Sequence, residues 1–179
     1  MTDIDSLFNS LEALQADKKL PPVSKWQPER VGHIDIRIAR DGTWYHEGEP
    51  FKRSALVKLF ATVLRRDPDG YCLVTPAEKL LIEVEDAPFL AIDLDVRGAD
   101  KQTDLLFTTS VDDHVVADAA HPIRVAQHND EPRPYIMIRE GLEALINRPV
   151  FYRLVEHAVE EANQLVVYSR GTRFPLGQL

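Results

Sequence analysis

The chain has 179 residues, 44% of them hydrophobic, and 29 Asp+Glu against 21 Lys+Arg give it a formal net charge of −8. At roughly 150 residues per domain this admits one ordinary domain or two small packed halves, with apolar content normal for a globular body rather than a disordered one. The acidic balance disfavours a binder of extended nucleic acid, which needs a basic face, but leaves room for a small anionic molecule held by a few converging arginines.

The N-terminal segment Met1-Thr2-Asp3-Ile4-Asp5 is acidic where a secretory leader is basic, and no run approaches the roughly 18 apolar residues of a membrane span. A cytoplasmic protein without a membrane partner is expected. Ile4, Leu7, Phe8, Leu11 and Leu14 recur at helical spacing, with Asp3 or Asp5 available as the cap. Lys18 and Lys19 suit the helix end, and Pro21-Pro22 stop it. Ile34-Asp35-Ile36-Arg37-Ile38 alternates as a strand, Arg40-Asp41-Gly42-Thr43 supplies a hairpin turn, and Trp44-Tyr45-His46 returns. After a second turn at Glu47-Gly48, Ser54 is expected to cap a helix with Leu56, Leu59, Phe60, Val63 and Leu64 inward. Arg65 and Arg66 then complement its dipole, and Pro68-Asp69-Gly70 ends it.

Strands are expected at 71–75, 79–84 and 89–96, the last with Leu90, Ile92, Leu94 and Val96 on one face. The turn Arg97-Gly98-Ala99-Asp100 leads into a strand at 105–108, with shorter strands at 115–117, 123–126 and 135–138. Asn129 to Pro134 reads as a loop. A last helix begins with Asn147 as cap and Pro149 in its first turn, its apolar face running from Phe151 to Ala162. A strand at 165–168 and a Gly/Pro-containing tail follow. The order fits antiparallel α+β rather than alternating parallel α/β. The lone Cys72, inside the apolar run Tyr71-Cys72-Leu73-Val74, reads as a buried, inert thiol.

A weak repeat joins the halves. Glu47-Gly48 precedes Arg53-x-x-Leu56-Val57-Lys58-Leu59, and Glu140-Gly141 precedes Arg148-x-x-Phe151-Tyr152-Arg153-Leu154. Two related sheet-plus-helix units are expected.

Familiar catalytic motifs are missing: no Gly-x-Gly-x-x-Gly, no phosphate-binding Gly-x-x-x-x-Gly-Lys, no Gly-x-Ser-x-Gly and no His-Glu-x-x-His. Asp112-Asp113-His114, Asp118 and His121 supply ligand types for a hard or borderline metal, and with it metal-assisted hydrolysis. Their spacing is not diagnostic, and exposed turn residues are the alternative. Trp44, His46, Glu47 and Arg53 gather at a sheet-to-helix junction, where they either line a polar ligand or cover the sheet and pair with acidic neighbours. Arg37, Arg53, Arg124, Arg139 and Arg148 could grip an anion if they converge, with Trp44 or Tyr135 as an aromatic face; singly, each is a surface ion-pair partner.

The motifs together resemble a bacterial family known as domain of unknown function 1285. The likeness rests on Pro21-Pro22-Val23-x-x-Trp26, Gly32-x-Ile34-Asp35-Ile36-Arg37-Ile38, and Arg40-Asp41-Gly42-Thr43-Trp44-x-His46-Glu47-Gly48. It continues through Leu73-Val74-Thr75-Pro76, Val84-Glu85-Asp86-Ala87-Pro88-Phe89, His121-Pro122-x-Arg124 and Arg139-x-Gly141-Leu142-Glu143-Ala144. The resemblance implies a duplicated α+β architecture whose C-terminal half is superficially like a pleckstrin-homology fold. It also implies a pocket between the halves for a nucleotide-like ligand, and a role in signalling.

The expected organisation is a helix and linker at 1–22, an α+β unit at 23–86 and a second at 87–179. The expected function is a non-enzymatic ligand-binding or sensory module. Its candidate site comprises Trp44, His46, Arg53, Glu85, Asp86, Tyr135 and Arg139. Metal-assisted hydrolysis and a protein-interaction scaffold are the competing readings.

Overall fold

Most of this chain is built from one device, the three-stranded antiparallel meander. The computed structural model describes residues 3–14 and 20–179, and the described residues hold three α-helices and 15 strands. The strands fall in chain order into five successive meanders. The fold is mixed α+β, mostly sheet, with two six-stranded sheets in units that have the character of duplicates. By contacts the chain divides into Met1–Asp86 and Ala87–Leu179.

In the first unit, α1 (Ile4–Leu14) is capped by Asp3, whose Oδ1 accepts from the Ser6 amide at 2.7 Å. Leu7 and Leu11 are buried, and the helix packs on α2 (Ser54–Ala61). The expected Lys18-Lys19 helix end lies outside the described residues. The first meander is β1 (Arg30–Ile38), β2 (Trp44–His46) and β3 (Glu49–Pro50), and after α2 the second is β4 (Leu64–Asp67), β5 (Gly70–Val74) and β6 (Glu78–Val84). The sheet order is β3-β2-β1-β6-β5-β4, with β1 and β6 parallel at the centre. Ile36 and Ile38 of β1 are buried, as the alternation requires.

Two expectations for α2 are corrected. Its N-cap is Arg53, not Ser54, and no side chain caps it. The helix also ends at Ala61, so Arg65 and Arg66 lie on β4 and answer no helix dipole. Pairing decides this: Leu64 faces Leu73 and Arg65 faces Cys72 across the β4–β5 hairpin, whose turn is Pro68-Asp69. The apolar pair Val63-Leu64, read as one more helical turn, is fully buried where the turn after α2 passes into β4.

The second unit repeats the sheet. β7 (Phe89–Arg97), β8 (Asp104–Thr109) and β9 (His114–Val116) form one meander, and β10 (Ile123–His128), β11 (Glu131–Arg139) and β12 (Leu142–Ile146) the next. The order β10-β11-β12-β7-β8-β9 again puts a parallel pair, β12 with β7, at the centre. Read outward from those central pairs, both sheets have the same strand order and directions. They differ in the helix: α2 separates the two meanders of the first sheet, whereas α3 (Arg148–Glu156) follows the second sheet. Beyond α3 lies the fifth meander, β13 (Val159–Glu161), β14 (Gln164–Ser169) and β15 (Thr172–Gln178). Asn147 caps α3 through Oδ1, which accepts from the Val150 amide at 3.0 Å.

Four sequence expectations change here. A register shift between Ala91 and Asp93 breaks the alternation in β7, so Phe89, Ala91 and Leu94 are buried while Ile92 is exposed. Residues 131–134 are strand, not loop, because Asn129 and Asp130, both at positive φ, make the whole β10–β11 turn. Pro132 and Pro134 are tolerated because this stretch of β11 pairs with β10 alone, β12 joining from Tyr135 onward. The last helix stops at Glu156, since Ala162 and Asn163, again both at positive φ, turn β13 into β14. The tail after 168 includes a full strand, β15.

Arginine faces tyrosine across four of the five meanders: Arg37 and Tyr45, Arg66 and Tyr71, Arg124 and Tyr135, Arg173 and Tyr168 are register partners. In the first three the guanidinium lies over the ring, 4.3, 5.2 and 4.4 Å from the centroid. Each stacking covers an aromatic face on a half-wet sheet and adds cation–π attraction.

Arg65 ties the start of the first unit to its sheet. Its guanidinium donates to both Asp67 carboxylate oxygens (2.8 and 2.9 Å) and to the Val23 and Trp26 carbonyls (both 2.7 Å). Lys79 Nζ completes the cluster, 2.9 Å from Asp67 and from Asp69. The Arg65 hydrogen bonds, and then Lys79, hold the Asp67 carboxyl below its ordinary value of 3.8 despite partial burial. A depressed carboxyl contributes stability that is present above the unfolded pKa and lost as pH falls through the folded one. Asp67→Asn is therefore expected to cost about 2 kcal/mol near neutral pH. That deficit should shrink as the pH is lowered below 3.8, measured by urea unfolding of both proteins across the acid range.

Cys72 is fully buried, and burial pushes its thiol up to about 11. Native protein is expected to resist iodoacetamide and to alkylate once unfolded in urea, as read by mass spectrometry.

Candidate functional site

A half-open cavity of about 870 Å³ lies within the second unit. Its apolar wall comes from Val96 at the end of β7, Leu105 on β8, Val159 on β13 and Val167 on β14. The β7–β8 connection, residues 98–103, forms its rim, and His157 at the end of α3, Glu161 and Tyr168 supply further polar groups.

The rim is held in an unusual backbone path. Gly98 has φ +84°, and a Cβ there would meet the Gln102 carbonyl oxygen at 2.9 Å, so only glycine fits without movement. Asp100 is also left-handed, at φ 55°. A 3-10 turn over Asp100–Gln102 closes on Thr103, whose Oγ1 donates to the Asp100 carbonyl at 2.7 Å. The β14–β15 turn pins the same segment: Arg170 N donates to Thr103 O and Gly171 N to Lys101 O, both at 2.9 Å. Beneath them the buried Ser169 hydroxyl accepts from the Leu105 amide at 3.0 Å. A rim so pinned is preorganised.

At the polar wall Tyr168 donates its hydroxyl to the Glu161 carboxylate, 2.8 and 2.6 Å from its two oxygens. Arg173 Nε lies 3.4 Å from Glu161, and Lys101 Nζ stands 5.1 Å from the Tyr168 ring centroid. The Tyr168 hydrogen bond holds the Glu161 carboxyl low, and Glu161 in turn raises the phenol. None of these residues carried a motif. The turn glycine at 98 was the one signal in the sequence.

The candidates chosen from sequence sit elsewhere, five in the first unit and two in the second. Trp44 is buried, edge-on to Phe51 at 6.5 Å, and His46 lies 6.0 Å from the same ring; the two share a face as expected. That face is spent on the core, where Phe51 continues to Phe60 at 5.9 Å. His46 also borders a groove of about 690 Å³ lined by Asp3, Asp35, Glu47, Asp69 and Glu83, which repels an anion. Arg53 stands over Phe8 at 5.7 Å. Glu85 accepts from Arg37 at 2.5 Å and from the Arg40 amide at 3.0 Å, and Asp86 lies 3.9 Å from Arg40.

In the second unit Tyr135 is buried beneath Arg124, which also forks onto Glu143 at 2.7 and 2.8 Å. Arg139 stacks on Phe89 at 5.0 Å and faces Asp113 at 3.8 Å. Burial lowers the Arg139 pKa and raises that of Asp113. Arg148 pairs with Glu131 at 3.6 Å on the surface. The arginines thus answer carboxylates and rings.

The Asp112-Asp113-His114 group disperses in the same way. His114 Nδ1 pairs with Thr108 Oγ1 at 3.1 Å, His121 Nδ1 with the Met137 carbonyl at 3.0 Å, and Asp118 caps the turn at Ala120 and His121. Among the described residues no three His, Cys, Asp or Glu side chains gather as a metal set.

Two family models cover the chain in sequence. The N-terminal domain of DUF1285, a domain of unknown function, matches residues 21–87, and the C-terminal domain matches residues 88–176. The chain belongs to the DUF1285 family. Among solved structures, a DUF1285 protein from Silicibacter pomeroyi DSS-3 is 45% identical over 95% of both chains, with a TM-score of 0.87. Another, from Shewanella baltica OS155, is 27% identical over 68% of this chain and 90% of its own, with a TM-score of 0.53. No curated protein matches. No helix among the described residues of this DUF1285 protein is long and apolar enough to cross a membrane.

Gly98→Ala is expected to lose about 1 kcal/mol or more of stability, from left-handed strain plus the carbonyl clash, read as a shift in the urea midpoint at constant slope.

Proposed function

We propose that this DUF1285 protein is a sensory module that holds a small organic molecule in the cavity of its C-terminal unit and does not transform it. The observation that carries the reading is the cavity itself. Its volume lies in the range of small-molecule sites, its wall is aliphatic, and a few polar groups stand on a pinned rim. Around it the Tyr168 hydroxyl donates to Glu161, and that carboxylate also lies 3.4 Å from Arg173, so these groups engage one another.

Of the finer expectations, a small anionic ligand and a signalling role remain part of this proposal. A nucleotide-like body loses its support, because Trp44 and Tyr135, the faces meant to stack a base, are both buried. Metal-assisted hydrolysis has no observation behind it once His114 and His121 are engaged as described. For a protein-interaction scaffold the described residues offer only a few exposed large apolar side chains, far apart in the chain, at Leu20, Val31, Ile92, Tyr152, Val159 and Leu179.

A ligand that binds the folded state raises its melting temperature, by about 2.7 kcal/mol of stability at a hundred times its Kd. Val159 is 48% exposed at the cavity wall, so Val159→Trp narrows the space without disturbing the core. Thermal-shift screening against small organic acids, nucleotides and neutral metabolites is expected to yield stabilising compounds for the native protein. Val159→Trp should keep the unliganded Tm and lose the shift. A native protein that no compound stabilises, or a shift unchanged in the variant, overturns the proposal.

A further inference from the structure

We infer that the cavity of the C-terminal unit takes an amphipathic carboxylate, its hydrocarbon body on the valine and leucine wall and its carboxylate at Lys101 and His157. The inference rests on the ligand-holding reading of the same cavity and adds the chemical class. The body follows from Val96, half-buried, and Val159, 48% exposed, whose aliphatic surface is open to a ligand; Leu105 and Val167, each 1% exposed, form a fixed floor behind them. Polar ligands would be desolvated against that floor without compensation.

The sign of the head group follows from how the charged residues are already used. Glu161 belongs to the polar wall, and its charge is already answered: its two oxygens share the single Tyr168 proton, Arg173 lies 3.4 Å away, and Lys101 adds a weaker attraction. Asp100 is exposed on the rim, where solvent screens it, and its carbonyl is committed to Thr103. Lys101 is positioned differently. Its backbone carbonyl is fixed by Gly171, and its ammonium stands over the Tyr168 ring, a contact that costs it none of its three donors to a carboxylate. His157 adds a ring N–H in either neutral tautomer. The polar wall therefore offers donors to an anion, whereas a cation would meet a carboxylate that is already satisfied.

The test titrates the full-length protein calorimetrically with octanoate, octanol and octyltrimethylammonium, three probes with the same chain and different heads. Octanoate is expected to bind most tightly, and shortening it to hexanoate should weaken binding by up to about fourfold per methylene removed. Lys101→Met keeps the aliphatic stem and is expected to weaken octanoate about tenfold while leaving octanol unchanged. Val159→Trp should abolish binding of octanoate. If octanol or octyltrimethylammonium binds as well as octanoate, or Lys101→Met leaves octanoate affinity unchanged, the carboxylate assignment is wrong although the cavity still holds ligands. If no probe binds, the assignment fails, and the broader thermal-shift screen decides separately whether the cavity binds anything else.

Discussion

Each six-stranded sheet is joined at its middle by a parallel pair whose strands come from opposite ends of the segment that forms it: β1 with β6, and β12 with β7. A meander is local and inexpensive in loop entropy, because each strand turns straight back on the last. Its outer strands, however, expose unpaired edges, and a three-stranded sheet alone buries little. Joining two meanders through their central strands removes one edge from each and creates a sheet wide enough to bury Ile36, Ile38, Leu73 and Leu80 in one unit, and Ala91, Leu94, Ala144 and Ile146 in the other. The rest of the architecture, including where the helices fall, is arranged around that closure.

The meander also explains why the cavity is where it is. The fifth meander follows α3 and forms a separate three-stranded sheet, and its β14–β15 turn reaches the β7–β8 connection through Arg170 and Gly171. The space between these two short pieces of sheet is bounded by side chains of β7, β8, β13 and β14 rather than filled by them. Among the described residues of the first unit no third meander follows, and five carboxylates stand among the isoleucines and leucine that line the groove there.

The α+β class was legible because its cues are local. Three isoleucines at period two announced β1, Asp41-Gly42 announced its hairpin, and Asn147 with Pro149 announced α3. Where two periodicities coincide, local cues fail. Val63 and Leu64 satisfy a helical face and an extended segment equally well, and the pairing of Leu64 with Leu73 of β5 settled the matter. Pro132 and Pro134 looked like loop because their tolerance depends on which neighbour is missing from the sheet, a fact outside any sequence window. The site was least legible. Lys101, His157, Glu161 and Tyr168 come from four short elements of ordinary composition, and only the fold brings them to one wall. The arginines that stood out by number proved to be covering tyrosines and answering carboxylates, which is the commonest use of arginine on a sheet.

The parallel pairing of β1 with β6 has a mechanical side. β1 enters the first sheet near Arg30 and β6 leaves it near Val84, at opposite ends of the same ladder. Tension applied between those two points would pull the strands lengthwise past each other. The slanted hydrogen bonds of a parallel ladder would then share the load in shear, instead of parting one after another as they do when a hairpin is unzipped. The first unit is thereby a clamp toward stretching along its own chain, a resistance that its thermodynamic stability alone does not measure.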